Sequence, residues 1–221
     1  METGVGRTAA DALQAKVSAL NAYGDMIEDK SYTELLLKMS DKKQKRQTPL
    51  VNLGYSIRLN CMLAKLKSFL ELYETSQIVI LGAGMDVLGL WSLLSKNVRV
   101  VEVDLPAVCD IKKDALQRLD MLQEREDDTS VYSAIHRTNS HSTYTLIGAD
   151  LQNADDLDPL FERLAEDVPT LVLSELVVSY INPDACDDIL RRCEARRNYS
   201  IVLYEPLGPD PGKQSVLEAY K

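Results

Sequence analysis

Apolar residues recur at helical spacing over residues 9–22, where Ala12, Ala15, Val17 and Leu20 share a face, and Tyr32 to Met39 predicts a second, shorter helix. A third helix is expected over Leu50 to Tyr73. It follows a connector, Asp41 to Pro49, whose basic run 42–46 lacks an apolar face and reads as a solvated linker. From Gln77 onward the period changes. Short apolar runs at 77–82, 98–103, 144–149, 169–174 and 199–205 alternate with helical stretches near 86–95, 106–126, 154–166 and 183–197. Such alternation predicts parallel strands covered by helices on both faces, a doubly wound α/β fold. Asn153 or Asp155 is expected to open the third of these helices, and Asn182 with Pro183 the fourth. Glu124 to Ser142 is polar and reads as an excursion from the sheet. Residues 1–75 are expected to form a helical segment and 76–221 the α/β core, the two making one unit.

Composition narrows the possible partners. The chain has 221 residues, 45% of them hydrophobic, with a formal net charge of -9 and a pI near 4.8. No broad basic field is available to hold a phosphate backbone, so a small ligand or a protein is the expected partner rather than nucleic acid. Cys61, Cys109, Cys186 and Cys193 form no C-x-x-C pair and only two histidines are present, so no metal is expected. No apolar run approaches the roughly 18 residues of a membrane span, and the N-terminal stretch lacks the apolar segment of a signal peptide. A monomer in the reducing cytosol is expected.

Candidate chemistry begins where the first strand ends. Leu81-Gly-Ala-Gly-Met-Asp86 places Gly82 and Gly84 in a strand-to-helix turn, where glycine allows a ligand close to the backbone. A tight turn needs glycine for structural reasons too. The next strand ends in Asp104, twenty positions after Gly84, the spacing of a carboxylate that accepts ribose hydroxyl hydrogens. A nicotinamide dehydrogenase would share both features. However, Val87 stands where the third glycine of G-x-G-x-x-G belongs, and the charge of Asp86 would oppose a pyrophosphate. A cofactor without phosphates fits better, and S-adenosylmethionine, with its sulfonium cation, suits acidic surroundings. Asp150-Leu151 and Ser174-Glu175 end two further strands on the same carboxyl edge, where open α/β sheets bind ligands. The alternatives are a helix-capping role for Asp150 and a surface ion pair for Glu175.

Six segments occur in one order: Thr48-Pro-Leu-Val-Asn-Leu-Gly-Tyr-Ser-Ile-Arg58, Gln77-Ile-Val-Ile-Leu-Gly-Ala-Gly-Met-Asp86, Val101-Glu-Val-Asp-Leu-Pro106, Ile147-Gly-Ala-Asp-Leu151, Pro169-Thr-Leu-Val-Leu-Ser-Glu-Leu-Val-Val-Ser-Tyr180 and Tyr204-Glu-Pro206. In them the chain resembles the leucine carboxyl methyltransferases, which methyl-esterify the C-terminal leucine of type 2A protein phosphatase catalytic subunits. The resemblance implies a class I S-adenosylmethionine-dependent methyltransferase fold with an N-terminal helical lid. It implies cofactor contacts from Gly82, Asp104, Asp150, Leu151 and Glu175, with Lys16 and Arg58 near the carboxylate of the cofactor or the substrate. Tyr180 would help position the substrate. Arg58 also makes independent sense, since a guanidinium can hold a carboxylate in a bidentate fork; the bland alternative is an exposed helix face.

The chain departs from the family at Leu53, where an arginine is usual, and at Val87, where a threonine is usual. The resemblance would also call for a closing antiparallel pair of strands after the fifth. An α-carboxyl group, with a pKa of about 3.3–3.7, is ionised at neutral pH and needs no general base. His136 and His141, both in the polar excursion, are read as solvent-exposed. Two other functions stay open: a catalytically impaired binding protein, and a methyltransferase acting on a small-molecule or modified-tRNA carboxylate.

Overall fold

The computed structural model describes residues 4–27, 29–40, 46–95, 97–121, 131–134 and 142–205. The basic run up to residue 45 and both histidines lie outside them. Three helices come first: α1 (Gly4–Tyr23), α2 (Lys30–Met39) and α3 (Pro49–Leu72). The starts of α2 and α3 are set by side chains that take an otherwise orphaned N–H. Asp29 accepts from the Tyr32 amide at 3.0 Å, and Thr48 accepts from the Val51 amide ahead of Pro49.

The sheet follows, with β1 (Ser76–Leu81), β2 (Val98–Asp104), β3 (Val131–Ala134), β4 (Thr143–Gly148), β5 (Thr170–Glu175) and β6 (Tyr199–Tyr204). Between the strands run α4 (Leu88–Ser92), α5 (Pro106–Arg118), α6 (Ala154–Glu162) and α7 (Pro183–Glu194). The strand order is β3-β4-β2-β1-β5-β6. All neighbours are parallel except β3, which pairs antiparallel with β4. This is the doubly wound, mostly parallel α/β arrangement of class I methyltransferases. The carboxyl ends of β1, β2, β4 and β5 form one edge.

Three expectations need correction. β3 lies inside the stretch read as a polar excursion. α4 spans five residues rather than the ten expected, because Asp86 occupies the Val87 and Leu88 amides and the helix starts only at Leu88. The helices α5, α6 and α7 stop short of residues 126, 166 and 197. For α5 the reason is visible at Asp120, whose φ of 52° leaves the right-handed path. The expected caps hold: Asn153 accepts from the Asp155 amide at 3.3 Å and Asn182 from the Ala185 amide at 2.8 Å.

Alternate strand residues feed two cores, as a pleated sheet covered on both faces requires. Ile78, Ile80, Val100 and Leu173 join Leu13, Val17, Leu36, Met62 and Leu66 of α1–α3. Val79, Leu81, Val101 and Val172 pack on Leu157, Leu160 and Ile189 of α6 and α7. Burial of each such side chain contributes about 1.5–3 kcal/mol, so most of the stability lies in this sandwich. Trp91 of α4 donates its indole N–H to Asp29 at 3.0 Å and Ser31 at 3.1 Å, tying α4 to the cap of α2. All four cysteines are free, Cys61 exposed and the others buried. Burial, helped by the charge of Asp104, pushes the Cys109 thiol up to about 12, so it packs as an apolar group. No helix among the described residues is long and apolar enough to cross a membrane.

Candidate functional site

Leaving β1, the chain turns through Gly82 and Gly84 at φ values of 59° and 51°. A β-carbon on Gly82 would collide with the Val177 side chain. Asp104 braces this turn from the end of β2: one oxygen accepts from the Gly84 amide at 2.7 Å and the other from the Leu105 amide at 2.7 Å. Burial raises the Asp104 pKa even though both N–H groups favour its charge.

The turn ends on Asp86, which sequence reading had treated only as a charge unfavourable to phosphate. Its carboxylate pairs with Lys16 of α1 and accepts from the Tyr32 hydroxyl of α2 at 3.2 Å, besides the Val87 and Leu88 amides. Lys16 also reaches both oxygens of Glu175, at 2.9 and 3.0 Å, and Glu175 pairs with Arg58 of α3. Lys16 is 4% exposed and Arg58 8%. Arg58 is therefore a buried ion-pair partner rather than an exposed helix residue, with its guanidinium 4.3 Å from the centre of the Tyr55 ring. Glu175 is a partly buried ion-pair partner, its side chain 11% exposed, not a surface one. Burial alone would disfavour the Lys16 ammonium, but the charges of Asp86 and Glu175 outweigh it and its pKa stands above the ordinary value. Burial likewise opposes the Asp86 charge, and Lys16 overrides it, holding that carboxyl below the usual range.

These groups border an open cleft at the carboxyl end of β1 and β5, beneath α1 and α3. Ala9, Ala12 and Leu13 form one wall, Met62 and Ile80 another, and Gly82 to Asp86 the floor. Two buried cations and two partly buried acids sit at its polar end. A ligand carrying both a carboxylate and an ammonium could be held there by opposite charges, without any being left unpaired.

Of the residues singled out from sequence, Lys16, Arg58, Gly82, Gly84 and Glu175 line this cleft, and Asp104 joins through Gly84. Asp150 and Leu151 stand further along the edge, outside the lining. The Asp150 carboxylate accepts from the Gln152 amide at 3.0 Å in the turn before α6. Leu151 packs into the α6–α7 core. Tyr180 is 72% exposed in a short turn after β5, also outside the lining.

Beneath Asp86 lies a second buried pair that sequence reading missed. Lys112 of α5 pairs with Glu102 of β2 and donates to the Asp86 carbonyl at 2.7 Å, while the Tyr144 hydroxyl donates to Glu102 at 2.6 Å. The signal available was Glu102 itself. An acid in an otherwise apolar strand of a doubly covered sheet needs a buried cation.

Glu205 was also missed. It accepts from the Val177 and Val178 amides at 3.0 Å each and from Ser179 at 3.3 Å, holding the turn that follows Glu175. Within that turn Leu176 has φ of 57°, a conformation costing a bulky residue about 1–3 kcal/mol. Glu205→Ala is expected to lower stability by about 1–3 kcal/mol and to speed hydrogen exchange at the Val177, Val178 and Ser179 amides. Unchanged exchange at those amides would show that the carboxylate does not hold the turn.

The profile of the family described as leucine carboxyl methyltransferase matches residues 8–194. The chain is 28% identical over 228 aligned residues to leucine carboxyl methyltransferase 1 of Caenorhabditis elegans, covering 97% of this chain and 67% of the relative. With leucine carboxyl methyltransferase 1 of Rattus norvegicus it is 28% identical, covering 78% of this chain and 53% of the relative. With tRNA wybutosine-synthesizing protein 4 of Rattus norvegicus it is also 28% identical, over 80% of this chain but only 28% of that protein. The chain thus spans 67% of the nematode methyltransferase's length and 53% of the rat enzyme's. A match running from α1 to the last residue of α7, across β1 to β5 and the cleft alike, makes this chain a member of the leucine carboxyl methyltransferase family.

Proposed function

We propose that this chain methyl-esterifies a carboxylate with S-adenosylmethionine as the donor, the acceptor being the C-terminal leucine of a type 2A protein phosphatase catalytic subunit. The observation that carries this reading is the ion-pair quartet of buried Lys16 and Arg58 with Asp86 and Glu175 at the carboxyl edge of β1 and β5. The donor's amino-acid end brings one carboxylate and one ammonium, matching that set. Lys16 and the forked guanidinium of Arg58 take the carboxylate, and Glu175 takes the ammonium. Asp104 keeps lone pairs beyond the two N–H groups it accepts and serves the ribose hydroxyls. Gly82 and Gly84 admit the ligand to the backbone, and Asp150 and Leu151 complete the donor side. Tyr180, beyond β5, is assigned to the acceptor.

When bound, S-adenosylmethionine supplies a methyl group made electrophilic by its sulfonium. The work left to the chain is to hold the acceptor oxygen in line and to exclude water. The acceptor carboxylate is already ionised at neutral pH, so no residue has to remove a proton. Residues 1–75, whose α1, α2 and α3 supply Lys16, Tyr32 and Arg58, act as the lid over the core of 76–221. A cytosolic setting keeps the four free cysteines reduced.

Transfer of label from the donor to a phosphatase catalytic subunit ending in leucine, against the same subunit lacking that leucine, tests this. Label on the first only is expected. Lys16→Ala and Glu175→Gln are expected to weaken donor binding by about thirtyfold or more, since truncating one partner of a buried charge pair costs about 2–5 kcal/mol. Donor binding without transfer would replace the enzyme with a binding protein. The likeness to tRNA wybutosine-synthesizing protein 4 makes a modified nucleoside carboxylate the competing acceptor. The net charge of -9 opposes an RNA, and label appearing on tRNA would reverse that judgement.

A further inference from the structure

Asp86 has more partners than its local role requires. Holding the turn ahead of a helix of five residues needs only the Val87 and Leu88 amides. Yet Asp86 also takes the Lys16 ammonium from α1 and the Tyr32 hydroxyl from α2, partners 70 and 54 residues away. Its own backbone is fixed at both ends, the N–H on Ala83 O at 3.2 Å and the carbonyl on Lys112 at 2.7 Å. So much fixing points to a carboxylate whose position matters to something else.

That something is Lys16. A lysine is a point charge on a flexible four-carbon stem, and without fixed neighbours it samples many rotamers. Glu175, its other acid, is shared with Arg58 and, if the donor is read as above, with an incoming ammonium. Asp86 is the acid left to Lys16 alone. Charge arithmetic gives the same answer. Two cations and two acids are neutral, and adding a zwitterion keeps them so. Without Asp86 the buried cluster carries an uncompensated positive charge.

Resting on the donor reading of Lys16, we propose that Asp86, steadied by the Tyr32 hydroxyl, is a positioning residue that holds Lys16 for the donor's amino-acid carboxylate. Tyr32 is wholly buried, and burial together with the charge of Asp86 keeps its hydroxyl protonated and donating. α2, which makes no contribution to the cleft lining, thereby acts on donor affinity through a single hydroxyl.

The test compares two probes in titration calorimetry: S-adenosylhomocysteine, which carries the amino-acid end, and 5'-methylthioadenosine, which lacks it. Asp86→Asn keeps an oxygen for the Val87 and Leu88 amides and removes the charge and the acceptor that face Lys16; Tyr32→Phe removes only the hydroxyl. Asp86→Asn is expected to weaken S-adenosylhomocysteine by about thirtyfold and Tyr32→Phe by about fivefold, with Asp86→Glu restoring part of the loss. Methylthioadenosine should stay within about twofold throughout. Equal loss of both probes, or loss of neither, would overturn the proposal, and Tyr32→Phe decides alone if Asp86→Asn fails to fold. Lys16→Ala separates the levels. If it loses S-adenosylhomocysteine selectively while the Asp86 and Tyr32 variants do not, only the positioning role falls. If it shows no selectivity, the donor reading of Lys16 falls and the positioning role with it.

Discussion

Replacing Lys112 with methionine is expected to lower stability by about 3–5 kcal/mol, because it strands the Glu102 carboxylate in the core. Lys112 is 0% exposed and Glu102 1%, so water cannot take over for the lost ammonium. What remains for Glu102 is the Tyr144 hydroxyl at 2.6 Å, while the Asp86 carbonyl loses its donor altogether. For a chain of this size the loss corresponds to a fall in Tm of about 6–20 °C. The pH dependence has a definite sign. Burial already holds the Glu102 carboxyl above its ordinary pKa despite Lys112. A group with a raised folded-state pKa stabilises the fold below its unfolded value and loses that contribution as pH rises through the folded one. The Lys112→Met deficit should therefore be largest at neutral to alkaline pH and shrink in mild acid. Adding Glu102→Gln, which keeps an acceptor for Tyr144, should return most of the loss, since removing both members of a buried pair is often close to neutral. Melting curves of the single and double variants from pH 5 to 9 check this. A single-variant loss below about 1 kcal/mol, the scale of an exposed pair, would contradict it.

Gly82→Ala is expected to cost about 2–5 kcal/mol, from two sources that can be measured apart. The left-handed backbone penalises any β-carbon by about 1–2 kcal/mol. The clash with Val177 adds an overpacking cost of about 1–3 kcal/mol. Gly84 serves as the internal control. Its φ is equally left-handed at 51°, but a β-carbon there meets nothing nearer than Ala9 at 3.9 Å. Gly84→Ala should therefore show the backbone cost alone. In a double-mutant cycle with Val177→Ala, the Gly82 variant should recover about 1 kcal/mol or more of coupling and the Gly84 variant none. Equal costs at the two glycines would mean that the Val177 contact does not matter. Val177 lies two residues beyond Glu175, so a displaced Val177 should also carry donor affinity down with stability.

Much of the architecture was legible because it rests on local signals. Continuous apolar runs such as Ile78 to Leu81 can bury both faces only inside a covered parallel sheet. Asn182 followed by Pro183 marks a helix start by chemistry confined to a few residues. The glycine turn and Asp104 were readable as a pair, and the bond from Gly84 to Asp104 accounts for their spacing. Glu102 apart, what escaped has no local signature. β3 is a four-residue edge strand whose partner, β4, supplies the order. Asp86 looked like an isolated charge because Lys16 and Tyr32 reach it from separate helices. Arg58 could have faced solvent or core on its helix, and Glu175 decided the matter from more than a hundred residues away. Glu205 is one acid at a strand end until the three amides it gathers are seen together.

Trp91 is the chain's single tryptophan, 8% exposed, with its indole N–H committed to the Asp29 carboxylate and the Ser31 hydroxyl at the cap of α2. Any outward motion of α2 breaks those bonds and admits water to the ring, the two changes to which indole emission responds. The protein therefore carries an unlabelled optical reporter of whether α2 is seated, placed on the helix that also brings Tyr32 to Asp86. Any change in the seating of α2 can be followed by fluorescence in real time, with no dye attached and no other tryptophan in the chain.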